Sequence, residues 1–188
     1  MRLLITFIVS FLLSGVLIAQ EPVDFNPTLL SRQLKRQFNL VEYQKAEINS
    51  GRLNLTSSNN PGKFFLIKDS GDTTNYLYVY LGRVLSCRSG ICLNSDSDDY
   101  ELESEYFDYF IIFNPEKVVK SVRVYNYQAT HGQEVSSPGW LRQFDGYSGK
   151  KRLTVGNEID AISGATISAD AITMDLQLRT REIGLLKD

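Results

Sequence analysis

Two adjoining runs, residues 106–113 and 118–127, constrain the fold of this chain more than any other stretch. Both are dense in aromatic and β-branched residues, the side chains that suit a pleated, half-buried surface. Between them stands Asn114-Pro115-Glu116-Lys117, in which the proline pre-sets the backbone for the first turn position. The pair therefore predicts an antiparallel hairpin. Residues 63–68 and 75–86 read as two further strands, separated by the turn residues Asp69-Ser70-Gly71-Asp72. Ten tyrosines and ten phenylalanines among 188 residues agree with a β-rich body.

Helical signals flank these strands. Asn26-Pro27 opens a helix, with Asn as N-cap and Pro at the first helical position. Leu30, Leu34, Phe38 and Val41 then recur at helical spacing and carry the expected helix to about residue 48. Residues 51–62, with Ser57-Ser58-Asn59-Asn60-Pro61, are a turn-rich connection. Later, residues 138–144 suit a short helix, 152–155 a short strand and 168–186 a final helix. The sum is an α+β fold: a mostly antiparallel sheet flanked by an N-terminal and a C-terminal helix.

Residues 1–19 have the form of an export signal. Arg2 supplies the positive start, residues 3–13 are apolar except for Thr6 and Ser10, and Ala19 offers a cleavage site behind Leu17. The stretch is near the minimum for spanning a bilayer, so a retained anchor is the alternative. Leu13-Ser14-Gly15 approaches a lipidation signal, but Val16 stands where the lipidated Cys belongs. A net charge of −2 gives no basic footprint for nucleic acid.

Cys87 and Cys92 are the two cysteines. In an exported protein a close pair reads first as a disulfide, and second as a redox couple in a tight loop. Asn94, Asp96, Asp98 and Glu105 match positions of a calcium loop, yet Asp99 occupies the place that needs Gly. A solvated acidic loop is the better reading, and no metal site is expected. There is no Gly-x-Ser-x-Gly elbow for a serine hydrolase, and no Gly-x-Gly-x-x-Gly for a dinucleotide.

The chemistry concentrates in Asp160-Ala161-Ile162-Ser163-Gly164-Ala165-Thr166. This small-residue turn delivers the Thr166 hydroxyl to the start of the last helix, whose N-terminus favours a phosphate ester. Gly164 and Ala165 leave room beside that hydroxyl. Taken blandly, the string is a helix entry with Ser163 or Thr166 as N-cap.

The same residues resemble the flavinylation motif of the FMN-binding domain family, Asp-x-x-Ser/Thr-Gly-Ala-Thr, at Asp160, Ser163, Gly164, Ala165 and Thr166. That family includes the G subunit of Rnf-type electron-transport complexes and the C subunit of the sodium-pumping NADH:quinone reductase. A second segment, residues 131–146, resembles the family stretch with a His, a Glu, a Pro-Gly turn and then Trp and Phe. His131, Glu134, Pro138, Gly139, Trp140 and Phe144 stand there, with Val135-Ser136-Ser137 in place of the usual Glu-Thr-Pro-Gly run.

The resemblance implies FMN joined to Thr166 by a phosphoester, placed there by a separate flavin transferase. Ser163, Gly164, Ala165, Asp160, His131, Glu134 and Trp140 then become cofactor-binding candidates. Trp140 and Phe144, four apart on the expected short helix, read first as core; the alternative is Trp140 or Tyr125 as a stacking platform for the ring. Asp160, which as a carboxylate would repel phosphate, suits a capping or recognition role. On this reading residues 1–19 are the signal, 20–62 an N-terminal helix and linker, and 63–188 the FMN-binding domain. The protein would be an exported electron-transfer flavoprotein rather than a stand-alone enzyme, served by a membrane or periplasmic donor or acceptor. The alternatives are a flavin-dependent reductase using Cys87 and Cys92, or an exported interaction module without cofactor.

Overall fold

The aromatic hairpin forms as its turn chemistry dictates. Tyr106–Phe113 and Val119–Tyr127 pair antiparallel, closed by backbone hydrogen bonds between Asn114 and Val118 at 3.0 Å and Asn114 and Lys117 at 2.9 Å. The structure, a computed structural model, describes residues 21–49, 61–72, 74–86 and 105–186. Its strands are β1 (Tyr43–Glu47), β2 (Gly62–Asp69), β3 (Tyr76–Leu85), β4 (Tyr106–Phe113) and β5 (Val119–Tyr127). They form one five-stranded sheet in sequence order, each antiparallel to the next. Its helices are α1 (Thr28–Phe38), α2 (Pro138–Leu141) and α3 (Thr166–Gly184).

The α+β architecture is therefore that of a meander with a helix on each face. Leu30 and Leu34 of α1, with Leu40, pack on Phe65, Ile67, Leu77, Val79, Leu81, Phe110 and Ile112. Ala169, Ile172, Leu176 and Ile183 of α3 pack on the opposite set, which includes Phe64, Tyr80, Phe107, Tyr109, Ile111 and Phe113. Every residue of β4 is buried, as a central strand covered on both faces must be.

Two expectations are corrected. The first helix stops at Phe38 and does not run to residue 48, because Asn39 takes a left-handed conformation (φ 57°) and caps it. Residues beyond it form edge strand β1, and Val41, expected on the apolar stripe, is 63% exposed. Residues 152–155 form no strand; Val155 makes only an isolated bridge to Ile159. Within the segment set apart by sequence as residues 20–62, α1 and β1 pack into the same body as the rest. The signal segment, Cys87, Cys92, Asn94, Asp96 and Asp98 lie outside the described residues. Among the described residues no helix is long and apolar enough to cross a membrane, and no group of His, Cys, Asp and Glu could hold a metal ion.

Candidate functional site

Thr166 is the first residue of α3, exposed, and reached through a turn in which Gly164 has φ +80°. Ala165, not Ser163 or Thr166, occupies the N-cap position, and no side chain caps this helix end. The turn closes through the Ala165 N–H and the Ile162 carbonyl at 3.1 Å. Ala165 itself is buried at 2% exposure, so its methyl group anchors the turn in the core. The first helical bond runs from Ala169 N–H to the Ala165 carbonyl at 2.9 Å. Ahead of it lie the N–H groups that a helix leaves unpaired, at the positive end of its dipole. Among the described residues none hydrogen-bonds to the Thr166 hydroxyl.

A cavity of about 210 Å³ opens in front of this hydroxyl, lined by Ser86, Glu105, His131 and residues 164–168. Four elements converge there: the end of β3, the approach to β4, the loop after β5 and the first turn of α3. Hydrogen bonds between side chains hold them in place. Ser168 Oγ lies 2.8 Å from Ser86 Oγ and 3.1 Å from the Tyr127 hydroxyl. Tyr127 donates to the His131 carbonyl at 2.6 Å, and its ring stacks on Phe107 with centroids 5.4 Å apart. Burial pushes the Tyr127 phenol above its usual pKa, which keeps it a proton donor. Gly132, at φ +85°, follows. A Cβ there would lie 2.6 Å from Ser168 Oγ and 3.1 Å from the Tyr127 oxygen, so only glycine lets the loop pass so close to α3. Next to it, Thr130 bonds to the Glu105 carboxylate and lies 2.8 Å from His131 Nδ1.

The cavity thus brings together Thr166, Gly164, Ala165 and His131 from the sequence-derived set. Glu134, on a 3-10 turn (Gln133–Ser136), and Ser163 are exposed and do not line it. Asp160 is also outside the lining; its N–H donates to Gln143 Oε1 at 2.8 Å. The Trp140 indole donates to the Asp160 carbonyl at 2.8 Å, and its ring lies edge-on to Phe144 with centroids 5.5 Å apart. At 9% exposure and outside the cavity lining, Trp140 is a core residue, as first read, and braces the loop at Asp160. Tyr125 lies outside the lining too. It stacks on Phe110 and donates to the Asp24 carbonyl at 2.7 Å, on the α1 face of the sheet.

A register shift in β5 explains that exchange. Val124 pairs with Tyr109 but Asn126 pairs with Asp108, so Tyr125 is the extra residue of a β-bulge. Beyond the bulge the alternation is reset, and Tyr127 faces the cavity side. Ser86, Glu105, Thr130, Tyr127 and Ser168 were missed by sequence reasoning. The one available signal was Tyr127, an aromatic at the end of a strand that leads to His131.

Residues 106–177 match the model of the FMN-binding domain. This part of the chain belongs to the FMN-binding domain family. FMN is accordingly the cofactor that the domain implies. Comparison with curated proteins and with solved structures gave no significant match. The matched segment runs from β4 into α3 and contains His131, Tyr127 and Thr166; α1 and the first three strands lie outside it.

The residues present fit the group. A phosphate on Thr166 would meet unpaired helix N–H groups, and the Gly164 side of the turn is open, with nothing within 4 Å of a Cβ built there. At about 210 Å³ the cavity is smaller than the roughly 300–1,000 Å³ of pockets that enclose whole ligands.

Proposed function

We propose that Thr166 carries FMN through a phosphoester and that the chain acts outside the cytoplasm as an electron carrier. The observation that carries this reading is the free, exposed Thr166 hydroxyl at the N-terminus of a 19-residue helix, facing the cavity of an FMN-binding domain. A flavin transferase matures it, and a membrane or periplasmic partner exchanges electrons with it. Ser163 and Asp160, exposed on the approach to the turn, are open to recognition by that transferase.

When bound, the flavin supplies the electron chemistry. The chain's own residues do the rest. Thr166 presents the attachment oxygen, and the helix end stabilises the single negative charge of a diester, by about 0.3–1 kcal/mol at an exposed site. Ser168, joined to Ser86 and Tyr127, ties the first turn of α3 to the sheet, so the attachment point cannot fray with the helix end. A tether also has a purpose outside the cell, where free FMN is scarce. Covalent linkage keeps the effective concentration of cofactor high without tight binding.

The test is expression with and without a flavin transferase, followed by fluorescence imaging of a denaturing gel. A labelled band with transferase, lost in Thr166→Ala, is the expected result. An unlabelled wild-type band in the presence of transferase refutes the attachment.

A further inference from the structure

We infer that His131 is the cationic partner of the phosphoester on Thr166, held in place for that task by Thr130 and Glu105. The inference rests on the attachment proposed above. Its starting point is a proton count. Thr130 Oγ1 has a single proton and donates it to Glu105 Oε1, which also accepts the Thr130 N–H at 3.2 Å. A carboxylate has no proton to return. At 2.8 Å from His131 Nδ1, Thr130 Oγ1 therefore acts as acceptor, and the proton sits on Nδ1. The other ring nitrogen, Nε2, has no partner among the described residues.

Position then assigns the use of Nε2. His131 and Thr166 line the same small cavity. A phosphorus esterified to Thr166 is one bond from Oγ1, so the phosphate has to sit there, wherever the flavin ring extends. Its charge meets an unfavourable neighbour in Glu105 on the cavity wall. The other titratable groups around His131 are Tyr127 on β5, which stays neutral, and Glu134 on the following turn, which is acidic. The stretch of α3 that lines the cavity, residues 166–168, carries no charged side chain. Among the described lining residues, His131 alone can become cationic near neutral pH. A phosphoester there attracts the imidazolium, whose Nε2–H then donates a charge-assisted hydrogen bond to a phosphate oxygen. Thr130 is a positioning residue, linking the ring to Glu105.

Phosphorus NMR of the flavin-loaded full chain across pH tests this directly. A phosphodiester has no ionisation of its own near neutrality, and the chain has one histidine. The diester resonance should shift through a single inflection near neutral pH. His131→Gln, at an exposed position, should keep the fold and abolish the inflection. Thr130→Val should alter the size of the shift, and a shift identical to the wild type there removes the positioning role. A resonance whose shift is constant through neutral pH overturns the inference, as does an inflection that survives His131→Gln. Absence of any diester resonance overturns the attachment itself, and this inference with it. Nitrogen NMR of the chain before loading should show the Nδ1–H tautomer; an Nε2–H tautomer breaks the proton count.

Discussion

On one face of the sheet, α1 sets Leu30 and Leu34 against aliphatic and aromatic side chains, and the buried centre of the contact is hydrocarbon, with Gln33 and Gln37 bonding to β5 beside it. On the other face, α3 buries Ser168, Thr173, Asp175, Gln177, Arg179, Thr180 and Glu182 along with its apolar residues. Much of that polar set is engaged with particular partners. Gln177 clamps Leu153 by both backbone groups, at 2.8 and 3.1 Å. Tyr109 donates to Asp175 at 2.7 Å, and Arg179 joins Asp175 and Glu182 at 2.9 and 3.0 Å. Burial, then Asp175, pushes the Tyr109 phenol up, so it remains the donor. Hydrocarbon contacts are non-directional and leave a helix free to settle; directional hydrogen bonds fix where each loop lies. The face with the precise positioning is the one that carries Thr166.

The α1 face has its own buried charge pair, and the two faces can be separated by mutation. Thr166→Ala should remove all covalent flavin fluorescence while leaving the melting temperature unchanged, since the hydroxyl makes no hydrogen bond among the described residues. A drop in melting temperature would mean that the hydroxyl is structural after all. Asp108→Ala should do the reverse. It strands Arg83, now held bidentate at 2.7 and 3.0 Å with 2% of its side chain exposed. Denaturant unfolding should show a loss of about 3–5 kcal/mol, with protein that still folds accepting flavin as before.

Smaller effects sharpen the contrast. Gly132→Ala forces a side chain at φ +85° into Ser168. A cost of about 1–3 kcal/mol is expected, measured by denaturant unfolding, together with weaker flavin labelling because the loop moves off α3. Tyr127→Phe removes one hydroxyl from the Ser168 and His131 contacts and should cost about 1 kcal/mol. Hydrogen exchange at residues 131 and 132 should rise in that variant; exchange unchanged from wild type would show that the hydroxyl does not hold the loop.

How much of this was legible in the chain varies by element. Strands β2 to β5 and the last helix announced themselves, because aromatic and β-branched runs between turn residues have few other outcomes. Helix α1 was overextended, because Leu40 and Val41 continue the apolar count although Asn39 has already ended the helix. Trp140 and Phe144 were legible as core from their four-residue spacing, and they pack edge-on in the buried loop. Ser86 and Glu105 could not be connected to Thr166 from sequence, since only strand pairing brings their backbones within 2.8 Å beside α3.

By itself the sequence determined the meander of strands, a helix on either side and a hydroxyl at a small-residue turn, because each depends on residues near one another in the chain. The tertiary structure alone decided which groups face that hydroxyl. One extra residue in β5 puts Tyr127 on the cavity side, opposite Tyr125, and the pairing of β4 with β5 places Glu105 beside Thr130 and His131. Side-chain facing in a sheet has a period of two, so a single bulge reverses it, and no local pattern announced where that bulge would fall.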